Sequence, residues 1–100
     1  MISRGLEEQI VRLITRKVVP QKVVIFGSQA RPDSRASSDI DIALFGVDAE
    51  QAALLHDELN DELETLRDVD VVSFDGLKNE NLKKRILREG KVIYERDARR

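Results

Sequence analysis

Asp39 and Asp41 stand one residue apart in "SDIDIALF", inside a run that is otherwise apolar. Alternation along a strand sends both carboxylates to one side, and Ile40 and Ile42 to the other. Two carboxylates about 7 Å apart on one strand repel each other, so the face they share must be open or occupied. A divalent cation relieves that repulsion. Mg2+ prefers one or two carboxylates plus substrate phosphates over a complete protein cage. Two such ions roughly 4 Å apart activate an attacking oxygen and stabilise a leaving phosphate. The plainer reading of Asp-x-Asp is the charged, solvent side of an edge strand, where charges deter aggregation. An EF-hand is excluded: counted from Asp39, Leu44 falls where the loop needs glycine, and Ala43 stands at the fifth position.

Two more features sit near this pair. Gly27 and Ser28 follow directly on the run "KVVIF". A glycine there lets backbone amides approach a phosphate, and the serine hydroxyl can donate to it. Arg31 could steady an anionic substrate. Gly-Ser alone is an ordinary turn, and the absence of Gly-Lys-Ser/Thr rules out a P-loop. The turn and the acidic pair nevertheless lie on consecutive strands, so the fold brings them together. Asp70, between Val69 and Val71, is again a carboxylate in an apolar strand. Beside the second strand it would complete an acidic trio, as general base for a hydroxyl or as a ligand of a second metal. Asp68 shares its face but lies at the strand's start and is expected to be exposed.

Several elements must position these residues. Ile2, Leu6, Ile10, Leu13 and Ile14 recur at helical spacing, predicting an amphipathic helix over about 3–17 that Pro20 closes. Strands are predicted over 22–27, 39–45 and 69–74, with "KVIYE" as a short fourth. Residues 28–38 read as loop. Asp48 and Gln51 make a capping box, and Leu55, Leu59, Leu63 and Leu66 stripe a helix ending near Arg67. A last helix packs by Leu82, Ile86 and Leu87 and stops at Gly90. The order α-β-β-α-β-α-β predicts an α+β fold: a small two-layer unit with a mixed sheet of about four strands and its helices on one face. The loop between the first two strands is too short for a full crossover helix, so they should be antiparallel neighbours.

The chain has 100 residues, 17 Lys plus Arg against 19 Asp plus Glu, and no cysteine. Its length predicts a single domain over residues 1–100 with one modest core. No basic stripe is interleaved with aromatics, so direct nucleic-acid binding is not expected. Disulfides, thiolate metal sites and cysteine nucleophiles are excluded. There is no signal-peptide core and no run of about 18 apolar residues, so neither export nor a membrane span is expected, and the cytoplasm is the default.

Gly27-Ser28, Ala30-Arg31 and then Ser38-Asp39-Ile40-Asp41-Ile42 resemble the signature of the DNA polymerase β-like nucleotidyltransferase superfamily, Gly-Ser-x-Ala-Arg-Gly followed by Ser-Asp-Ile-Asp-Leu. In length and in its ending, "LKKRILREGKVIYE", the chain is similar to the minimal nucleotidyltransferase (MNT) group. The resemblance covers Lys22 to Glu95. It implies that Gly27 and Ser28 hold the triphosphate of an incoming nucleotide, with Arg31 and Ser38 also on the nucleotide side. It implies that Asp39 and Asp41 bind metal, with Asp70 as the third acid. It implies transfer of a nucleoside monophosphate, AMP from ATP, to a hydroxyl, using Mg2+. Through the MNT group it implies a HEPN-domain partner in a hetero-oligomeric toxin–antitoxin module, the acceptor being a tyrosine of the partner. Pro32 stands where the signature has glycine, and Gln29 where arginine is frequent. Proline removes one amide donor and fixes its φ. A contact-only antitoxin without catalysis is therefore the alternative reading. A small-molecule transferase, such as one acting on aminoglycosides, would need a second domain.

His56, next to Leu55 but off the leucine stripe, reads as a solvated helix position. Tyr94 reads as packing. Lys83, Lys84, Arg85 and Arg88 read as a solvated helix face that favours the helix C-terminus, with contact to nucleotide or partner as the functional option.

Overall fold

Three capped helices frame the sheet. The structure, a computed structural model, describes residues 3–27, 39–63 and 68–96. Helices α1 (Arg4–Lys17), α2 (Ala49–Glu62) and α3 (Glu80–Glu89) alternate with strands β1 (Lys22–Phe26), β2 (Ile40–Phe45), β3 (Val69–Ser73) and β4 (Lys91–Glu95) in the predicted order. Ser3 caps α1 by accepting from the Leu6 N–H, and Asn79 caps α3 by accepting from the Leu82 N–H. Asp48 and Gln51 form the expected capping box at α2. Each cap satisfies amides that have no partner inside the helix, for about 1 kcal/mol.

The sheet order is β3-β2-β1-β4. β1 pairs antiparallel with β2, as the short connection requires, and also with β4. β2 and β3 run parallel, with α2 as the crossover between them. One face of the sheet carries Val23, Ile25, Ile40, Ile42, Leu44, Val69 and Val71. Against it pack Ile10, Leu13 and Ile14 of α1 and Ala52, Leu55 and Leu59 of α2.

The α+β class with a four-stranded mixed sheet agrees with the sequence reading, but the helices do not all lie on one face. α3 covers part of the other face, where Ile86 joins Val24, Phe26 and Ala43. The reason was present in β1: "KVVIF" is apolar on both sides, the pattern of a strand buried twice over. Gly90 stops α3 as expected, and two smaller corrections follow from packing. α2 ends at Glu62, with Leu63 as its cap, while Leu66 and Arg67 lie outside the described residues. Leu87 is 63% exposed and packs little, because α3 touches the sheet along Leu82 and Ile86. Gly90 has an ordinary φ of −73°. Glycine is required there because a Cβ would run into Val24 Cγ1 and the Ile86 carbonyl. No helix among the described residues is long and apolar enough to cross a membrane.

Candidate active site

β1 ends at Gly27, whose φ of +74° lies in the left-handed region that glycine enters without steric cost. The residue before it, Phe26, pairs with Asp41 across β1 and β2. Asp41 in turn is the register partner of Asp70 across β2 and β3. Partners in register on neighbouring strands project to the same face, with backbones about 5 Å apart. That face is the one opposite α1 and α2, since Ile40, Ile42, Val69 and Val71 take the other. Asp70 therefore does not turn into the core; its side chain is 69% exposed. Asp39 is exposed at the start of β2.

Gly27 and Asp41 are in close approach. A Cβ on Gly27 would fall on the Asp41 carboxylate. Asp41 is half-buried, and burial pushes its carboxyl above the usual range. Repulsion from Asp70 and then from Asp39 adds to the rise, while Arg85 opposes it. Asp70 and Asp39 thus both bear on Asp41, beside the glycine turn. Among the described residues no three His, Cys, Asp or Glu side chains form a ready metal cage. An open pair of mutually repelling carboxylates is what Mg2+ accepts when phosphates and water complete its shell, so the donor set fits that ion. Ser28, Arg31, Pro32 and Ser38 lie outside the described residues.

Two residues stand nearer the acids than the sequence suggested. His56 Nδ1 lies 3.8 Å from Asp70 Oδ1, so it is not merely a solvated helix position. β3 is the sheet's edge, and α2 wraps it closely enough for His56 to reach round. The leucine stripe gives the helix phase but not how far it overhangs an edge strand. One turn on, the Asn60 amide grips the strand just before Asp70. Its Oδ1 accepts from the Val69 N–H at 2.9 Å, and its Nδ2 donates to the Val69 carbonyl at 2.8 Å. Arg85 is the second: of the four basic residues on α3, it is the one whose charge bears on Asp41. Its place beside Ile86 was the available signal, once Ile86 is known to pack on the acidic face.

The opposite end of that face is closed by structure rather than chemistry. Phe45 and Phe74 stack with centroids 4.2 Å apart, and Lys22 and Lys83 lie over their rings at 4.6 and 5.6 Å. On the other face of β3, Ser73 is buried and donates to the Val47 carbonyl at 2.6 Å. Tyr94 packs on the core, as its strand position predicted.

A family model described as "Polymerase beta, Nucleotidyltransferase" matches residues 8–99. No curated protein sequence matches the chain. Among solved structures, a protein provisionally assigned as a minimal nucleotidyltransferase is 34% identical with a TM-score of 0.65, over 88% of this chain and 89% of its own. A toxin–antitoxin structure with AMP-PNP gives 25% identity and a TM-score of 0.76, over 92% of this chain and 75% of the other. A tri-AMPylated Shewanella oneidensis HEPN toxin in complex with its MNT antitoxin gives 23% and 0.74, over 97% and 76%, a likeness of fold alone. With a family model spanning nearly all its residues and a fold that sets a glycine turn against paired aspartates, this chain belongs to the polymerase beta nucleotidyltransferases.

Proposed function

We propose that the protein transfers AMP from ATP to a hydroxyl of a HEPN-type partner, a tyrosine, and acts as the antitoxin of the pair. The observation that carries this reading is the register of Asp41 with Asp70 on an open face, with Gly27 against Asp41. Solved relatives supply the chemistry to test: one is a toxin–antitoxin structure with AMP-PNP, another contains an AMPylated HEPN toxin.

In this reading Asp39 and Asp41 hold Mg2+, and Asp70 serves as base or further ligand. When bound, the ion supplies neutralisation of charge on the phosphates. Asp70, exposed at the sheet edge, accepts the proton of the incoming hydroxyl. The hydroxyl oxygen forms a bond to the α-phosphorus as the bond to the bridging oxygen breaks, and pyrophosphate carries away the electron pair. The turn at Gly27, with Ser28, Arg31 and Ser38 beyond it, binds the nucleotide's phosphates. Most of the rate comes from holding these groups in line. The exposure of Asp70 at the sheet edge suits an acceptor carried on a partner protein.

The test is incubation of the purified chain with α-labelled ATP, Mg2+ and its HEPN partner. Label on the partner that disappears with Asp41→Asn is the expected result. Neutralisation of the partner without any label would replace transferase by contact-only antitoxin.

A further inference from the structure

The cover over the acidic face is lopsided. α3 packs across β1: Ile86 meets Val24, Phe26 and Ala43, and Gly90 lies against Val24. The β1 side of Asp41, where Gly27 turns, therefore has a helix above it, while Asp70 on the β3 side stays open. Arg85 directly precedes Ile86 on that helix. Ile86 shares its cluster with Phe26, the register partner of Asp41 and the residue before Gly27, so Arg85 stands one residue from the packing that borders the acids. Yet it forms no ion pair among the described residues, whereas Arg16, Lys17, Arg88 and Lys91 all do. An arginine beside carboxylates but not locked to them keeps its fork of donors free for another anion, and that fork matches phosphate oxygens.

We propose that Arg85 grips the phosphates of the bound nucleotide from the β1 side, leaving the β3 side above Asp70 as the approach for the acceptor. This deepens the nucleotidyl-transfer reading and rests on it. The triphosphate then lies between Gly27 below and Arg85 above, and pyrophosphate departs on the side away from the partner. Charge explains the division: a polyanion drawn towards three acids needs a fixed cation in addition to any metal, and α3 provides one on that side only.

Calorimetric titration of the full chain with MgATP, MgAMP and magnesium tripolyphosphate tests this. Losing a charged hydrogen bond weakens binding roughly tenfold or more. Arg85→Gln should therefore weaken MgATP and tripolyphosphate by about that factor or more, and change MgAMP much less. Arg85→Lys should recover part of the loss, since a point charge remains without the fork. Arg12→Gln, an exposed charge on α1 across the sheet, should leave all three unchanged. MgATP binding unaltered by Arg85→Gln would overturn the proposal, as would equal loss of AMP and ATP. If the unmodified chain binds tripolyphosphate in an Arg85-dependent way but not MgATP, the nucleotide reading falls and the phosphate grip stands. If it binds neither, both fall. Should Arg85→Gln fail to melt like the parent, Arg85→Lys carries the comparison.

Discussion

Asp41 is held at a cost to the fold. Its folded-state carboxyl is raised, by burial first and then by Asp70 and Asp39, so the folded chain binds that proton more tightly than the unfolded chain does. The sign is fixed by linkage: this contribution favours folding below the unfolded carboxylate value and is lost as pH rises through the raised folded value. At neutral pH the ionised group therefore opposes folding. Asp41→Asn should raise the melting temperature of the metal-free chain while abolishing transfer. The group is partly solvated, so the gain is a modest rise, read directly in the thermal melt. The paired expectation is that added Mg2+ stabilises the parent in thermal melts and leaves Asp41→Asn unmoved; equal shifts in both would remove the metal from Asp41. Gly27→Ala makes a different case. Its methyl must overlap the Asp41 carboxylate and its φ is left-handed, which costs about 1–2 kcal/mol. Because the clash falls on a site residue, the rate should drop by far more than the melting temperature implies, and side-by-side kinetics and melts would show it.

At the scale of elements, α3 and the α1–α2 pair set how firmly the site is held. Gly90→Ala would lift the end of α3 off Val24, since its Cβ meets both that side chain and the Ile86 carbonyl. Overpacking of this kind costs typically 1–3 kcal/mol. The variant should melt earlier and also bind MgATP less tightly, because Arg85 moves with the helix. On the opposite face, Arg16 bonds Glu58 and Glu62 at 3.0 Å each, and Lys17 lies 3.5 Å from Glu58. The Arg16 hydrogen bond holds the Glu58 carboxyl below its usual range, so this stabilisation is present above the unfolded carboxylate value and fades as pH falls through the lowered one. Arg16→Ala should melt earlier at neutral pH, with the gap closing in acid and in high salt. Every element was legible in the sequence, because caps, periods and β-branched runs are local signals. The face chosen by α3 was less so, since "LKKRILRE" names its apolar stripe but not the surface that receives it. Leu87 shows the limit: its composition says core, and its angular position says solvent.

For the whole molecule, the site sits where the sheet changes from antiparallel to parallel, and β2 belongs to both pairings. The acids Asp39, Asp41 and Asp70 were legible because a carboxylate in an apolar strand contradicts its surroundings, and alternation gives the face. His56 and Arg85 were not, because each approaches through the third dimension, from helices whose overhang no spacing encodes. The proposed reading puts the acceptor on a HEPN partner that approaches the open side of Asp70. Mixing with the HEPN protein should therefore yield a stable complex by size-exclusion chromatography, in which Asp70 loses solvent access. The Asn60 clamp bears on that encounter. By taking both free hydrogen-bonding groups of Val69, it stoppers the outer rim of β3 at the residue before Asp70. A visiting chain cannot zip on as an extra strand there, and must arrive side chain first. Asn60→Ala would unseal that rim and should convert a well-behaved chain into one prone to self-association, visible in light scattering before any loss of helix is seen.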